Sequence, residues 1–120
     1  MNYQIYTTLK NDGYWAEHKD KGYLDAYVDV NGQIYHVDFI ELYNMRNRLF
    51  PEDYNISKKY PLNVGDIVVR EITKMDIKKT IDVLIRDGYF DHIKPMQGIT
   101  KISDIKFPPP LENTLLYPLK

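Results

Sequence analysis

The feature of the sequence that most constrains the fold is an Asn-Gly pair between two runs of alternating apolar residues. The stretch YLDAYVDVNGQIYHVDFI, residues 23–40, carries this pair at Asn31 and Gly32. Both central positions of a type I′ turn need positive φ, which Asn and Gly adopt at the least steric cost. The stretch therefore predicts an antiparallel hairpin in which Val30 opposes Gln33 and the pairing continues outward from there.

This register divides the hairpin into two faces, because successive side chains of a strand point to opposite sides of a sheet. One face is apolar except for a single Gln and is predicted to face the core; it consists of Leu24, Ala26, Val28, Val30, Gln33, Tyr35, Val37 and Phe39. The other face sets Tyr23, Asp25, Tyr27 and Asp29 against Ile40, Asp38, His36 and Ile34, respectively. Asp25 is therefore predicted to lie beside Asp38, although opposed like charges cost up to about 1 kcal/mol on a sheet.

The clearest helix signal covers residues 73–87. Thr73 can cap the N-terminus, and Gly88 stands where a left-handed residue is needed after the C-terminus. Apolar residues at helical spacing form one stripe, made up of Ile77, Ile81, Leu84 and Ile85. We therefore predict an α+β fold: a single domain over residues 1–120, with a mostly antiparallel β-sheet and one main helix packed on it.

The other segments give weaker signals. Further strands are predicted at residues 3–9, 67–72, 89–95 and 98–107. The strand at 67–72 is expected to be central in the sheet. Residues 14–22 are polar apart from two aromatic side chains and predict a loop or an irregular strand. Residues 41–53 fit a helix or a continued strand equally well. The tail, residues 111–120, is apolar enough that we expect it to pack back onto the domain.

Composition excludes several functional classes. The chain has no Cys, which removes disulfides, thiolate metal sites and cysteine nucleophiles and is typical of a reducing cytoplasm. No leader-like start and no apolar run of membrane-spanning length is present, so we expect a cytoplasmic protein with no membrane contact. The net charge of -1 argues against direct nucleic-acid binding. Residues 1–43, however, carry three Lys against seven Asp and Glu, a net charge of -4.

Candidate chemistry is sparse. His18, His36 and His92 could support acid-base catalysis, but they fall on three different predicted elements. His36 with Asp25 and Asp38 is the one metal-ligand cluster that the hairpin assembles, and its spacing matches no known metal motif. We therefore predict no metal, no cofactor and no catalytic residues. Basic residues interleaved with an aromatic one are expected to be solvated surface; these are Arg46, Arg48, Lys58, Lys59 and Tyr60.

The stretch ITKMDIKKTIDVLIRDGYFDHIKP, followed by ISDIKFPPPLEN, is similar to immunity proteins encoded beside contact-dependent growth inhibition toxins. The resemblance is one of overall character across most of the chain, which is Cys-free and rich in Tyr and Asp, and it includes no invariant motif. It implies a cytoplasmic inhibitor, not an enzyme, that binds the C-terminal domain of a cognate toxin. Such toxins are often nucleases, and an EndoU-like ribonuclease is the toxin that we expect here.

An inhibitor of an RNA-cleaving site must present carboxylates to the Lys, Arg and His side chains that hold phosphates. On this basis the predicted toxin-binding residues are Asp25, Asp38, Asp29, Tyr23, Tyr27, His36, Trp15 and Glu17. The alternative from the residues themselves is a small His-based ribonuclease or another RNA-processing enzyme. A small accessory or phage-type interaction protein is the third interpretation, and a merely solvated sheet face, with no function of its own, is the simplest one.

Overall fold

The structure of the protein, a computed structural model, describes residues 2–43 and 64–120. The predictions for residues 44–63, including the basic residues Arg46, Arg48, Lys58 and Lys59 and most of the ambiguous segment 41–53, lie outside the described residues. The described chain forms a five-stranded sheet with helices packed on one side. The prediction of an α+β fold with a mostly antiparallel sheet is confirmed.

The strands run β1 (Tyr3–Thr7), β2 (Tyr23–Val30), β3 (Gln33–Glu41), β4 (Asp66–Val69) and β5 (Tyr117–Pro118). Their order across the sheet is β4-β3-β2-β1-β5. Every neighbouring pair is antiparallel except β3 and β4, which are parallel. The strand predicted at residues 67–72 is present as β4, which ends at Val69. The prediction that it is central is wrong, because β4 lies at the edge of the described sheet.

The hairpin of β2 and β3 has the predicted register throughout, from Val30 opposite Gln33 to Tyr23 opposite Ile40. Asn31 and Gly32 have φ angles of 52° and 89°, as a turn of this kind requires. The Asp29 carboxylate accepts a hydrogen bond from the Gly32 N–H at 2.9 Å and so holds the turn. The predicted core face is also confirmed: all its apolar members are buried, and Gln33 is exposed at the strand end.

The predicted helix is present as the helix Lys74–Arg86, and Thr73 caps it by accepting a hydrogen bond from the Asp76 N–H at 3.2 Å. Ile77 and Ile81 are fully buried against the core face of the sheet. We call this helix α2, because the described residues contain another helix before it. That helix, α1 (Asp12–Lys21), lies where a loop or irregular strand was predicted, so that prediction is wrong.

The helix α1 forms because its ends are capped and not because it is amphipathic. The Asn11 side chain accepts hydrogen bonds from the N–H groups of Gly13 and Tyr14 at 3.0 and 3.3 Å. Gly22, in the left-handed region at φ 78°, ends the helix. Only Trp15 on α1 is buried, so the sequence shows no apolar stripe that would predict a helix.

The predicted strands at 89–95 and 98–107 are also wrong. These segments contain two short 3-10 turns, Tyr89–Asp91 and Ile102–Asp104, within irregular chain. The Asp104 carboxylate accepts hydrogen bonds from the N–H and hydroxyl of Thr100, which closes a local turn in place of a strand ladder. The apolar tail packs back as predicted: β5 pairs with β1, and Leu119 is buried in the core.

The core lies between the sheet and the two helices, but the opposite face of the sheet is not bare. Tyr27, Ile34 and Ile40 are buried on that opposite face, and Phe107 packs edge-on against the Tyr27 ring. Among the described residues, no helix is long and apolar enough to cross a membrane. The polar groups of the opposite face therefore sit beside buried apolar side chains, and this position determines their chemistry.

Candidate functional site

Three aspartates stand in one row across three adjacent strands on the opposite face. Asp25 of β2 pairs with Asp38 of β3, as predicted, and Asp38 pairs in turn with Asp66 of β4. We call Asp25, Asp38 and Asp66 the acidic row. The first pairing follows from the Asn-Gly turn alone, whereas the second depends on where β4 docks. The row therefore combines a local feature of the sequence with a long-range one.

Gly65 allows β4 to approach β3 closely enough to complete the row. Its φ of 94° lies in the region that favours glycine, and a Cβ there would be 3.2 Å from the carbonyl oxygen of His36. The Asp38 N–H donates to the Gly65 carbonyl at 2.9 Å, which fixes Asp66 beside Asp38. Asp66 is the site residue that the sequence reasoning missed. The sequence does carry a signal for it, the Gly65-Asp66 pair at the start of a β-branched run.

His36 lies one rung along from the row and interacts with two of its members. Its Nε2 atom is 3.5 Å from Asp38 Oδ1 and 3.9 Å from Asp25 Oδ1. Both distances exceed those of a strong hydrogen bond, so these are ion pairs when the imidazole is protonated. The Tyr27 ring stacks on the imidazole at a centroid distance of 4.9 Å and holds its plane.

The two carboxylates differ in their access to water. The Asp25 side chain is 68% exposed, whereas that of Asp38 is 41% exposed and its Oδ1 atom is buried without a hydrogen bond. Within the described chain, their ion pairs are to His36, and no described Lys or Arg pairs with either. Among the described residues, the repulsion between Asp25 and Asp38 is thus countered mainly by His36, with a smaller contribution from the charge of His18 at Asp25.

These surroundings shift the pKa values of the two carboxyl groups in opposite directions. Partial burial, then the neighbouring Asp25, raise the pKa of Asp38 to about 7. Contact with His36, then with the protonated Asp38, lowers the pKa of Asp25 to about 2. The pair behaves as one unit in which the more buried carboxyl group takes up the proton. The pKa of His36 is raised, chiefly by Asp25 and further by the charges of Asp38 and Asp66.

We expect the stability of the protein to fall between pH 5 and pH 8, and Asp38→Asn to reduce this fall. The pKa of Asp38 is about 7 when folded against 3.8 ordinarily, so the folded state binds the proton more tightly and loses stability as pH rises through that window. The raised pKa of His36 acts in the same sense, since its contribution is present below 6.5 and is lost above its folded pKa. The lowered pKa of Asp25 has the opposite effect, a loss of stability as the pH falls, and it acts only below about pH 3.8.

The measurement is urea unfolding of the wild type and the variant at both pH values. Between pH 5 and pH 8 the free energy of unfolding of Asp38→Asn should fall by about 1 kcal/mol less than that of the wild type. The difference is modest because the site is solvated. Asp87→Asn, an exposed position after the end of α2, is the control and should parallel the wild type. Parallel curves for wild type and Asp38→Asn would show that the repulsion is absent.

Chemically, the site is suited to a cation. One oxygen of Asp25, one of Asp38 and a ring nitrogen of His36 all lie within 4.8 Å of one another, and these are atom types that bind divalent metals. The same atoms could equally receive the ammonium or guanidinium group of a Lys or Arg from another protein. The neighbouring rung of the sheet adds apolar surface, since Tyr23 is 45% and Val68 37% exposed.

The other predicted interface residues are dispersed. Glu17 is exposed on α1, and Asp29 is half-buried with its carboxylate engaged in the hairpin turn. Two of the predicted aromatic anchors are buried instead: Trp15 is 7% exposed and belongs to the core under α1, and Tyr27 is 8% exposed beneath His36 and Phe107. Trp15 therefore offers little surface to a partner in this structure, because the capped helix turns the indole ring inward, and its place in the interface stays a prediction.

The three histidines do not form one site. His36 lies at the acidic row, His18 of α1 contacts the Tyr14 carbonyl at 3.3 Å, and His92 follows the turn Tyr89–Asp91. Within residues 2–43 and 64–120, no hydrogen bond or ring contact joins one histidine to another. His18 does help to lower the pKa of Asp25 through its charge.

The acidic row thus brings together three carboxylates and one imidazole on a partly exposed sheet face, flanked by an aromatic side chain. In the described part of the chain, this arrangement is the one best suited to receive a positive group from outside. Comparisons of the chain with protein-family models, with curated proteins and with solved structures found no match.

Proposed function

We propose that the protein is an immunity protein: a cytoplasmic inhibitor that binds the C-terminal domain of a cognate secreted toxin and covers its basic active site with the acidic row. The observation that carries this proposal is the adjacent pair of carboxylates, the exposed Asp25 and the half-buried Asp38, whose ion pairs among the described residues are to His36 and to no Lys or Arg. The resemblance of the helical segment to immunity proteins gives the class of partner.

The physical reason is that a repulsion in the free protein becomes an attraction in the complex. Opposed carboxylates on a sheet are unfavourable, and partial burial beside Tyr27 and Ile40 makes charging Asp38 harder still. A partner's Lys or Arg inserted between the two would offset one of the two negative charges, separate them and donate charge-assisted hydrogen bonds to both carboxylates. Binding would thus relieve the unfavourable electrostatic energy of the two carboxylates in the free protein, and this relief would add to the affinity.

A nuclease is the class of toxin that best fits this chemistry. An RNA-cleaving site holds phosphates with Lys, Arg and His, so a surface that mimics phosphate binds it and excludes the substrate. The same negative row repels nucleic acid, which favours a protein partner over RNA. Tyr23, exposed on the neighbouring rung, offers an aromatic contact of the kind that contributes most at interfaces.

The direct test uses the toxin domain encoded next to this protein. We expect a one-to-one complex by size-exclusion chromatography with light scattering, loss of RNA cleavage when the two are mixed in equal amounts, and association that slows as salt rises. If that domain neither forms a complex with the protein nor is inhibited by it, the proposal is rejected.

The enzyme alternative predicts a different result from the isolated protein. His36 and Asp38 form an acid-base pair with shifted pKa values, which is the observation that favours it. RNA cleavage by the purified protein, abolished by His36→Ala, would support a ribonuclease, and an inert protein in the same assay would reject one.

A further inference from the structure

A second charged site lies at the end of the sheet, where the helices begin. A cavity of about 250 Å³ opens there and is lined by three lysines from separate segments. Lys10 lies between β1 and α1, Lys74 is the first residue of α2, and Lys120 follows β5. The cavity shares no lining residue with the acidic row.

The positive charge around this cavity is only partly balanced. Lys74 donates to the Asp12 carboxylate at 2.8 Å, whereas neither Lys10 nor Lys120 forms an ion pair with a described residue. The Asp12 side chain is 93% exposed, so much of its charge is screened by water. The ion pair also brings the N-termini of α1 and α2 together, and both helix dipoles add positive potential there.

A buried hydroxyl group completes the lining. Thr7 is 1% exposed, yet it faces the cavity. Its Oγ1 accepts a hydrogen bond from the Leu9 N–H at 3.1 Å, so its own hydrogen remains available to donate. A buried hydroxyl donor in a cavity that lysines also line is a combination that can recognise a compact oxyanion.

We propose that this cavity binds a phosphate group, with Lys10 and Lys120 supplying charge and the Thr7 hydroxyl orienting one oxygen. Lys74, paired with Asp12, also lines the cavity. The cavity has room beyond one inorganic phosphate, so a small phosphomonoester suits it better than the free ion. This site is independent of the proposed inhibition, because it uses other residues and another part of the sheet.

Phosphate binding at this site can be followed by intrinsic tryptophan fluorescence. Trp15 is its only tryptophan and lines the cavity, so its fluorescence responds to an anion bound there. The protein is titrated with inorganic phosphate in one arm and glycerol 3-phosphate in the other, each against potassium chloride of equal ionic strength. We expect a saturable change with the phosphates and none with chloride, and tighter binding of the ester.

Matched variants separate a site from general attraction between charges. Lys10→Ala with Lys120→Ala should weaken phosphate binding by about tenfold or more. Lys78→Ala with Lys79→Ala removes the same charge from the exposed side of α2 and should leave binding within about twofold. Thr7→Val, tested for folding by circular dichroism, should also weaken binding. Absence of a saturable response, or equal loss in both lysine pairs, would overturn the proposal.

Discussion

Replacing Asp25 and Asp38 together with Asn is expected to weaken binding of the proposed toxin partner by about a hundredfold or more. Truncating one partner of a buried, hydrogen-bonded charge pair costs roughly 2–5 kcal/mol, and about 1.4 kcal/mol corresponds to tenfold in Kd. Asn keeps the shape of Asp but removes the negative charge that would hold the partner's Lys or Arg. Isothermal titration calorimetry with the purified toxin domain measures the change.

The same substitutions should not damage the free protein. They remove a repulsion together with the two long ion pairs of His36, and no described Lys or Arg loses an ion pair. The matched control is Asp87→Asn with Asp91→Asn, which removes equal charge beyond α2, on the other side of the sheet. This control should change Kd by less than about threefold, through long-range attraction alone. If the double variant Asp25→Asn with Asp38→Asn binds as tightly as the control, the acidic row is outside the interface.

The part of this site that could be predicted from the sequence is the part fixed by short-range rules. Asn31 and Gly32 determine the turn, and the turn determines the register that sets Asp25 against Asp38 and Tyr27 against His36. The helix α2 was equally predictable, because its cap and its apolar stripe agree with each other.

The third aspartate could not be placed in this way. Asp66 joins the row only because β4 docks parallel to β3, after a connection of more than twenty residues. Parallel strands need a long crossover, and the sequence of the crossover does not specify which edge the returning strand will join. Local patterns therefore predicted a pair of carboxylates, whereas the folded sheet has three.

Burial on the opposite face was unpredictable for the same reason. Alternation along β2 and β3 identifies the face packed on α2, but it does not reveal that Phe107, from an irregular segment near the C-terminus, packs against Tyr27. That contact helps to bury Tyr27. The pKa of Asp38 is raised chiefly by partial burial and then by Asp25, so it depends on how this face is packed as well as on the hairpin pairing.

Trp15 gives the sharpest distinction between the sequence-based interface and the observed core. We expect Trp15→Ala to lower the free energy of unfolding by roughly 3–5 kcal/mol, the usual cost of removing a buried aromatic side chain. Trp15 is 7% exposed and packs in the core with Leu9 and Leu119, so its loss leaves a cavity where α1 meets the sheet. The effect is measured by urea unfolding, with circular dichroism as the probe.

The neighbouring residue provides the control. Tyr14 is 48% exposed on the same helix, and Tyr14→Ala should change stability by less than about 1 kcal/mol. Under conditions where Trp15→Ala remains folded, its affinity for the toxin domain should match that of the wild type, because the side chain acts within the core. A stable Trp15→Ala protein that has lost its partner would instead make Trp15 an interface anchor, and α1 would then have to present it outward when the complex forms.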